Sequence, residues 1–212
     1  MKPPAVILAG GRSSRMGGGD KCLLPVGDKP LIAHILTAIT PQTSDILINT
    51  NSDPAPFLKY GQPVLPDVIA GYQGPLAGIL TGMLWSRRRH PRQAHILTVA
   101  SDVPFLPCDL VERLSHCLTD QRADIAIAGS PQSTQPTIGL WPVDLADRLG
   151  HDLMKTNIRS LHQWIGGFRV AKAEFDPDSL VNFNTPADLA ACRENPQLGI
   201  RPIGLCGRRA AR

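Results

Sequence analysis

Three basic side chains lie within one glycine-rich segment near the N-terminus: Arg12, Arg15 and Lys21. Residues 10–20 include five glycines and directly follow an apolar run at residues 5–9. Glycines let backbone N–H groups approach a phosphate closely, and three nearby cations suit an anion with several charges. The segment matches neither the P-loop nor the dinucleotide-binding fingerprint. We therefore predict a distinct triphosphate-binding loop, and the alternative is a solvated surface loop without a ligand.

A single carboxylate, Asp102, follows the apolar run at residues 95–100 and precedes a turn that contains Pro104. In an open α/β sheet, ligands bind in the crevice beyond the carboxyl ends of the strands. An aspartate at that position can hold Mg²⁺ between phosphate groups. An aspartate that stabilises its own turn or caps a helix fits the same local sequence. The occurrence of Asp102 together with the basic loop favours the metal-binding interpretation.

Asp67 and the turn Gly74-Pro75-Leu76, which continues to Gly78, predict a site for a flat base. Glycine at both ends of the turn lets a base lie against the backbone. Backbone amides and a nearby carboxylate can then bind the edge of guanine. The alternative is a helix start that is closely packed and binds nothing.

Two asparagines, Asn182 and Asn184, precede Thr185 and Pro186. Threonine and proline in that order are typical of the N-cap and first residue of a helix. Amides beside a helix N-terminus can bind a phosphate or a heterocycle. Helix capping alone is the alternative explanation for the same residues.

Alternating strands and helices are expected to position these residues. Short apolar runs predict strands at residues 5–9, 45–51, 62–65, 95–100, 125–128, 137–141, 167–172 and 180–183. Helical spacing predicts helices at residues 30–39, 75–89, 108–118, 143–150 and 157–165, and one beginning at Thr185. The helix at 75–89 is expected to bury one face, and strand 45–51 turns polar at Asn49. The alternation predicts an open α/β fold, with a mainly parallel sheet and helices on both faces.

Composition and charge exclude a disordered, collagenous or fibrous chain and give no support to a nucleic-acid-binding protein. The 212 residues are 42% hydrophobic and 19% charged, as in ordinary globular chains. Of the 22 basic and 18 acidic residues, five bases and one acid lie at residues 193–212, which leaves 17 of each sign before them. The net charge of +4 therefore belongs to the end of the chain and does not indicate a nucleic-acid partner. We predict one domain at residues 1–195 and a mobile basic tail at 196–212.

The cysteines indicate a reducing compartment. Their number, five, is odd, and none of them forms a C-x-x-C motif. No apolar segment approaches the roughly 20 residues of a membrane span, and the N-terminal apolar run is too short for a signal peptide. These features predict a cytoplasmic protein that does not enter a membrane.

Several motifs occur in one order over residues 5–193. They are Leu8-Ala9-Gly10-Gly11 with Arg15-Met16-Gly17 and Asp20-Lys21, Gly74-Pro75-Leu76-Ala77-Gly78, Ser101-Asp102-Val103-Pro104, Gln135-Pro136-Thr137 and Asn182-Phe183-Asn184-Thr185-Pro186. Together they resemble the molybdenum cofactor guanylyltransferase family. The resemblance implies a Rossmann-like, three-layer nucleotidyltransferase fold. It also implies Mg²⁺-dependent transfer of GMP from GTP to the terminal phosphate of the molybdenum–molybdopterin cofactor, with release of pyrophosphate.

The resemblance also implies a role for individual residues. The expected GTP contacts are Leu8, Ala9, Gly10, Lys21, Asn49, Asp67 and Asp102. Asp102 is also the expected Mg²⁺ ligand, and Arg15 is the arginine expected at the triphosphate. Asp102, Lys21 and Arg15 form the expected catalytic set, and Asn182 with Asn184 lies on the molybdopterin side.

Two other functions remain open from the sequence. One is a related nucleotidyltransferase that makes a cytidylyl product or a sugar nucleotide, but Gly10-Gly11 and the turn at residues 74–78 favour guanine. The other is a non-catalytic guanine-nucleotide-binding partner in molybdoenzyme maturation, which the presence of both Lys21 and Asp102 disfavours. We expect a monomer that makes transient contact with molybdoenzymes or other cofactor-biosynthesis proteins.

Overall fold

A single mixed sheet forms the centre of the computed structural model, which describes residues 1–10, 20–71, 74–156, 158, 160–184 and 188. Within these residues the strands are β1 (Ala5–Leu8), β2 (Pro25–Val26), β3 (Lys29–Pro30), β4 (Ile46–Asn49), β5 (Val64–Leu65), β6 (His95–Ala100), β7 (Ile125–Gly129), β8 (Thr134–Pro142) and β9 (Val170–Glu174). β2 and β3 form a separate hairpin, and the other strands pair in the order β5-β4-β1-β6-β8-β7-β9.

The described helices cover the two faces of this sheet. They are α1 (Leu31–Ile39), α2 (Pro75–Arg89), α3 (Leu110–Asp120), α4 (Ala146–Lys155) and α5 (Leu161–Ile165). Short 3₁₀ helices occur at Lys21–Leu23, Thr40–Gln42, Ala55–Tyr60, Val143–Leu145 and Pro177–Leu180. No helix in the described part of the chain is long and apolar enough to cross a membrane.

Only β8 runs against the other strands of the described sheet. β1 pairs in parallel with both β4 and β6, whereas β8 pairs antiparallel with β6 and β7. Leu8, the last residue of β1, is in register with Asn49 on one side and with Ala100 on the other. Adjacent strands lie roughly 4.8 Å apart, so these ends span about 10 Å. We call this side of the sheet the carboxyl edge.

The core confirms the three-layer arrangement. Alternate residues of β1 face opposite layers, because side chains of a strand point to its two faces in turn. Ile7 packs in the cluster that holds Ile35 of α1 and Leu114 of α3, whereas Val6 packs in the cluster that holds Ile79 of α2. Each such side chain, fully buried, contributes about 1.5–3 kcal/mol. The predicted mainly parallel sheet with helices on both faces is thus confirmed.

Helix α2 is buried more completely than its sequence pattern predicts. The prediction assigned it one buried face, but Ala77, Thr81 and Ser86, on other sides, are also buried. Glycine explains this close packing, because a Cβ added to Gly82 would lie 2.3 Å from Val6 Cγ2. The absence of that atom lets the helix backbone approach β1.

The C-terminal part differs most from the prediction. Residues 180–183 are not a strand, because a 3₁₀ helix at Pro177–Leu180 is followed by extended backbone outside the sheet. The Phe183 N–H donates instead to the Asp102 carbonyl, at 2.8 Å. The helix predicted at residues 143–150 becomes a 3₁₀ turn and then α4, which extends to Lys155, whereas the helix predicted at 157–165 shortens to α5. The helix predicted from Thr185 and the tail at 196–212 lie outside the described residues, apart from Asp188.

Candidate active site

Three polar side chains form a cluster at the end of β4, which we call the β4-side cluster: Asn49, Asn51 and Asp67. Asn49 is 2% exposed, and its Nδ2 donates to Asp67 Oδ1 at 3.0 Å and to the Leu65 carbonyl at 3.2 Å. Asn51 Nδ2 donates to Asp67 Oδ2 at 2.7 Å, and the Asp67 N–H donates back to Asn51 Oδ1 at 2.9 Å. Both carboxylate oxygens of Asp67 therefore accept an amide hydrogen bond, which fixes the direction of the carboxylate.

A glycine in α2 makes room for this cluster. A Cβ added to Gly78 would lie 2.3 Å from Asn49 Oδ1 and 2.7 Å from a methyl carbon of Leu8. The helix begins after Gly74, whose φ of 66° and ψ of −158° favour glycine, with Pro75 at its first position. The Leu76 side chain is buried in the core. Of the predicted guanine turn, Leu76 can therefore offer a base only its backbone.

The end of β1 connects the two neighbouring strands. The Ala9 N–H donates to the Asn49 carbonyl at 2.8 Å, and the Leu8 carbonyl accepts from Ser101 N–H at 3.3 Å. Gly10 follows and is exposed. Residues 8–10, predicted to contact GTP, thus lie between Asn49 and the turn that carries Asp102.

A second cluster, which we call the β6-side cluster, consists of Lys21, Asp102 and Asn184. Lys21 Nζ lies 3.2 Å from Asp102 Oδ2 and donates to Asn184 Oδ1 at 2.7 Å. The side chains of Lys21 and Asp102 are only 17% and 24% exposed. Lys21 comes from a 3₁₀ helix after the glycine-rich segment, and Asp102 comes from the turn after β6. One ammonium group therefore joins three segments that are far apart in the sequence.

Aromatic packing holds the segment that carries the two C-terminal asparagines. Phe183, between Asn182 and Asn184, is buried in a small cluster with Val26 and Leu31. Its ring lies edge to face with Phe105, with centroids 5.7 Å apart. Together with the hydrogen bond from Phe183 N–H to Asp102, this packing fixes the asparagines beside the β6-side cluster.

Asn182 has a partner on β8. Gln135 Nε2 donates to Asn182 Oδ1 at 2.8 Å and to the Leu180 carbonyl at 3.3 Å. Gln135 and Asn182 are 47 positions apart, so only the tertiary fold brings them together.

Asp102 is the better of the two carboxylates at this edge for holding a divalent cation. Lys21 engages only Oδ2, and Oδ1 accepts no hydrogen bond from a described residue, whereas both oxygens of Asp67 are engaged. Among the described residues no group of three or more His, Cys, Asp or Glu side chains could enclose a metal ion. A single, partly exposed carboxylate with one free oxygen among its described contacts suits Mg²⁺, which keeps several waters and binds through one or two carboxylates together with substrate phosphates.

The thiol beside Lys21 is not available for chemistry. Cys22 is 1% exposed. Burial, reinforced by the charge of Asp20, raises the pKa of the Cys22 thiol to about 12. Because the thiolate is the nucleophilic form, Cys22 is unreactive near neutral pH.

The structure gathers most of the predicted site residues at one edge. Asn49 and Asp67 meet beside residues 8–10, and Lys21, Asp102 and Asn184 meet next to them, with Asn182 adjoining. Arg15 and the other predicted loop cation, Arg12, lie outside the described residues. The sequence analysis assigned no site role to Asn51 or to Gln135, although Gln135 stands in one of the motifs that carry the family resemblance. The two-residue spacing from Asn49 signals Asn51, because such residues share a face of a strand, whereas no local signal indicates the partner of Gln135.

Comparisons with known proteins give one consistent family. Residues 5–170 match the family described as the MobA-like NTP transferase domain. The chain is 42% identical over 190 residues to a molybdenum cofactor guanylyltransferase of Bradyrhizobium sp. (strain ORS 278). The aligned residues cover 88% of this chain and 90% of that protein.

Solved structures share the fold at lower identity. Molybdopterin-guanine dinucleotide biosynthesis protein A from Archaeoglobus fulgidus superposes with a TM-score of 0.70 and 21% identity, covering 92% of this chain and 98% of that chain. The 4-diphosphocytidyl-2C-methyl-D-erythritol synthase of Anaerococcus prevotii superposes with a TM-score of 0.69 and 12% identity, and the match covers 92% of this chain and 95% of that chain. These two structures support the Rossmann-like α/β fold, and the family match and the closer relative support a nucleotidyltransferase. The chain belongs to the molybdenum cofactor guanylyltransferase family.

Proposed function

We propose that this enzyme transfers GMP from GTP to the terminal phosphate of the molybdenum–molybdopterin cofactor, forming molybdopterin guanine dinucleotide and releasing pyrophosphate. The observation that carries the proposal is the position of Lys21 Nζ, which bridges Asp102 and Asn184. The family resemblance assigns Asp102 to the nucleotide and Asn184 to the acceptor. The Lys21 ammonium group therefore lies between the residue assigned to the nucleotide and the residue assigned to the acceptor, where the two substrates would react.

The β4-side cluster is suited to the guanine and nucleoside part of GTP. Asp67, held by Asn49 and Asn51, keeps lone pairs that can accept N–H groups from a guanine edge. The backbone of residues 8–10 lies beside this cluster, and Gly78 of α2 packs against Asn49. Because the two clusters are separated by the width of β1, a nucleotide bound to both would extend across the end of that strand.

The β6-side cluster is suited to the phosphates. Guanylyl transfer requires that an oxygen of the acceptor phosphate attack the α-phosphorus in line with the departing pyrophosphate, so no protein nucleophile is needed. Lys21, together with Arg15 and backbone amides of the glycine-rich segment, would neutralise the β- and γ-phosphates. Asp102 would hold Mg²⁺, which supplies positive charge to the phosphate oxygens when bound.

Lys21 can exchange its partners when phosphates arrive. A partly exposed ion pair such as that with Asp102 contributes only about 1 kcal/mol. A triphosphate offers several charged oxygens to the same ammonium group, so the nucleotide can displace Asp102 and leave that carboxylate for the metal ion. We therefore expect GTP to replace the weak contacts that Lys21 makes with Asp102 and Asn184 in the absence of the nucleotide.

The test compares two half-buried aspartates that form ion pairs at opposite edges of the sheet. Asp102→Ala should abolish guanylyl transfer, and Lys21→Ala should lower it about 10²–10³-fold, as for the loss of a charge-stabilising donor. Asp45 is the matched control, because it is 19% exposed, pairs with Arg89 at 2.7 Å and precedes β4 at the other edge. Asp45→Ala should retain turnover. Near-normal transfer by Asp102→Ala would contradict the assigned role of Asp102.

The proposal extends to the compartment, the oligomeric state and the protein partners of the enzyme. We propose that the enzyme acts in the cytoplasm as a monomer and delivers its product through transient contact with molybdoenzymes or other cofactor-biosynthesis proteins. Cys22 and Cys117 carry free thiols, as is usual for proteins of a reducing compartment.

A further inference from the structure

The carboxamide of Gln135 has only one chemically sensible orientation. Its nitrogen donates both to the Leu180 carbonyl and to Asn182 Oδ1. A backbone carbonyl can only accept, so exchanging the nitrogen and oxygen of Gln135 would place two acceptors against each other. The contact with Leu180 therefore selects the nitrogen of Gln135 for this position.

The orientation of Gln135 determines that of Asn182. Since the Gln135 nitrogen is a donor, Asn182 has to present its oxygen to it, and the NH₂ group of Asn182 makes no hydrogen bond with a described residue. The same logic applies to Asn184, because the ammonium group of Lys21 can only donate and so selects Asn184 Oδ1. Both asparagines thus have their oxygens engaged by the protein, and among the described residues neither NH₂ group has a hydrogen-bond acceptor.

We propose that Gln135 is a positioning residue that orients Asn182 as a hydrogen-bond donor toward the terminal phosphate of the acceptor substrate. The inference rests on the proposed function, in which Asn182 and Asn184 lie on the acceptor side. A phosphate carries mainly acceptor oxygens at neutral pH, so two NH₂ groups are complementary to it. If Asn182 turned around, its oxygen would face the phosphate oxygens and repel them. The hydrogen bond from Gln135, which is 47 positions away in the sequence, disfavours this reversed orientation of Asn182.

Gln135→Glu tests the proposal by replacing the donor with an acceptor of similar size. The carboxylate cannot donate to Leu180 or Asn182, and it would attract the NH₂ group of Asn182 away from the ligand. The KM for molybdenum–molybdopterin should rise at least tenfold, with the KM for GTP unchanged within twofold. Calorimetric titration of the protein with molybdenum–molybdopterin alone should show the same loss of affinity. Gln135→Leu, which removes the donor without adding charge, should weaken binding about two- to fivefold.

A double-variant cycle separates positioning from a general structural effect. In the Asn182→Ala background, Gln135→Glu should change the acceptor KM by less than twofold, because the group it orients is absent. The inference would be overturned if the two substitutions multiplied their effects on the acceptor KM, or if Gln135→Glu raised the KM for GTP as much as the acceptor KM. An unchanged acceptor affinity in both Gln135 variants, when Asn182→Ala alone weakens it, would also overturn the inference. If Asn182→Ala itself leaves acceptor binding intact, the acceptor role of Asn182 fails, and the positioning role fails with it.

Discussion

Two glycines of α2, one helical turn apart, allow the packing of the β4-side cluster to be tested separately from the packing of the core. A Cβ at Gly78 would lie 2.3 Å from Asn49 Oδ1, and a Cβ at Gly82 would lie 2.3 Å from Val6 Cγ2. Both substitutions introduce the same atom into the same helix at the same distance. Only the first one acts on a residue of the candidate site.

The expected magnitudes follow from these distances. Neither glycine has a positive φ, so alanine fits the backbone and gains about 1 kcal/mol of helix propensity. Overpacking costs about 1–3 kcal/mol, which leaves a net loss of roughly 0–2 kcal/mol in the free energy of unfolding for either variant. The Cβ added by Gly78→Ala would also push the Asn49 side chain out of place, which breaks the hydrogen bond from Asn49 to the Asp67 carboxylate. A hydrogen bond to a charged group is worth about 1.5–3 kcal/mol, or roughly a 10- to 100-fold change in affinity.

Urea unfolding and calorimetric GTP titration measure the two effects. Gly78→Ala should lose up to about 1.5–3 kcal/mol more stability than Gly82→Ala, because it also breaks the Asn49–Asp67 hydrogen bond, and only Gly78→Ala should weaken GTP binding, by roughly 10- to 100-fold. An unchanged GTP Kd in folded Gly78→Ala would refute the role of Asn49 in holding Asp67 for the nucleotide. Equal weakening in both variants would show that the helix as a whole, and not its contact with Asn49, determines affinity.

Three further predictions concern other parts of the molecule. Because burial raises the pKa of Cys22 to about 12, iodoacetamide at pH 8 should spare Cys22 in the folded protein and label it after unfolding in urea, as peptide mass mapping would show. Burial would raise the pKa of Asp45, but hydrogen bonds, that from Arg89 foremost, hold it below its ordinary value. The stability that Asp45 contributes is therefore present above about pH 4 and lost as the pH falls through its lower folded pKa, so the unfolding free energies of wild type and Asp45→Asn should converge in acid. Phe183→Ala should lower the free energy of unfolding by about 3 kcal/mol and weaken acceptor binding, whereas unchanged acceptor affinity would contradict its role in holding the asparagines.

Local sequence patterns predict the elements that carry most of the site. The apolar runs at β1 and β6 are short and buried on both faces, so their ends could be located from residue type alone. In a parallel sheet those ends lie at one edge. This geometry explains why Asn49 and Asp102, separated by more than 50 residues, could both be assigned to one site.

The remaining features depend on contacts that no local pattern records. The apolar residues at 180–183 look like a strand, but Phe183 buries its ring against Phe105 and Val26 instead of joining the sheet. The burial of α2 on several sides depends on the fit of Gly78 and Gly82 against β1, which periodicity does not reveal. The role proposed for Gln135 depends on its contact with Asn182, which is 47 positions away in the sequence.

The identity of the transferred nucleotide is the most direct test of the proposed activity. The purified chain would be incubated with Mg²⁺, molybdenum–molybdopterin and each of GTP, CTP, ATP and UTP in turn, with pyrophosphate and the dinucleotide product quantified together. We expect equal amounts of pyrophosphate and molybdopterin guanine dinucleotide from GTP, and neither product from the other nucleotides. Product from CTP alone would assign the enzyme to cytidylyl transfer, and GTP binding without pyrophosphate release from any nucleotide would show a binding protein in place of an enzyme.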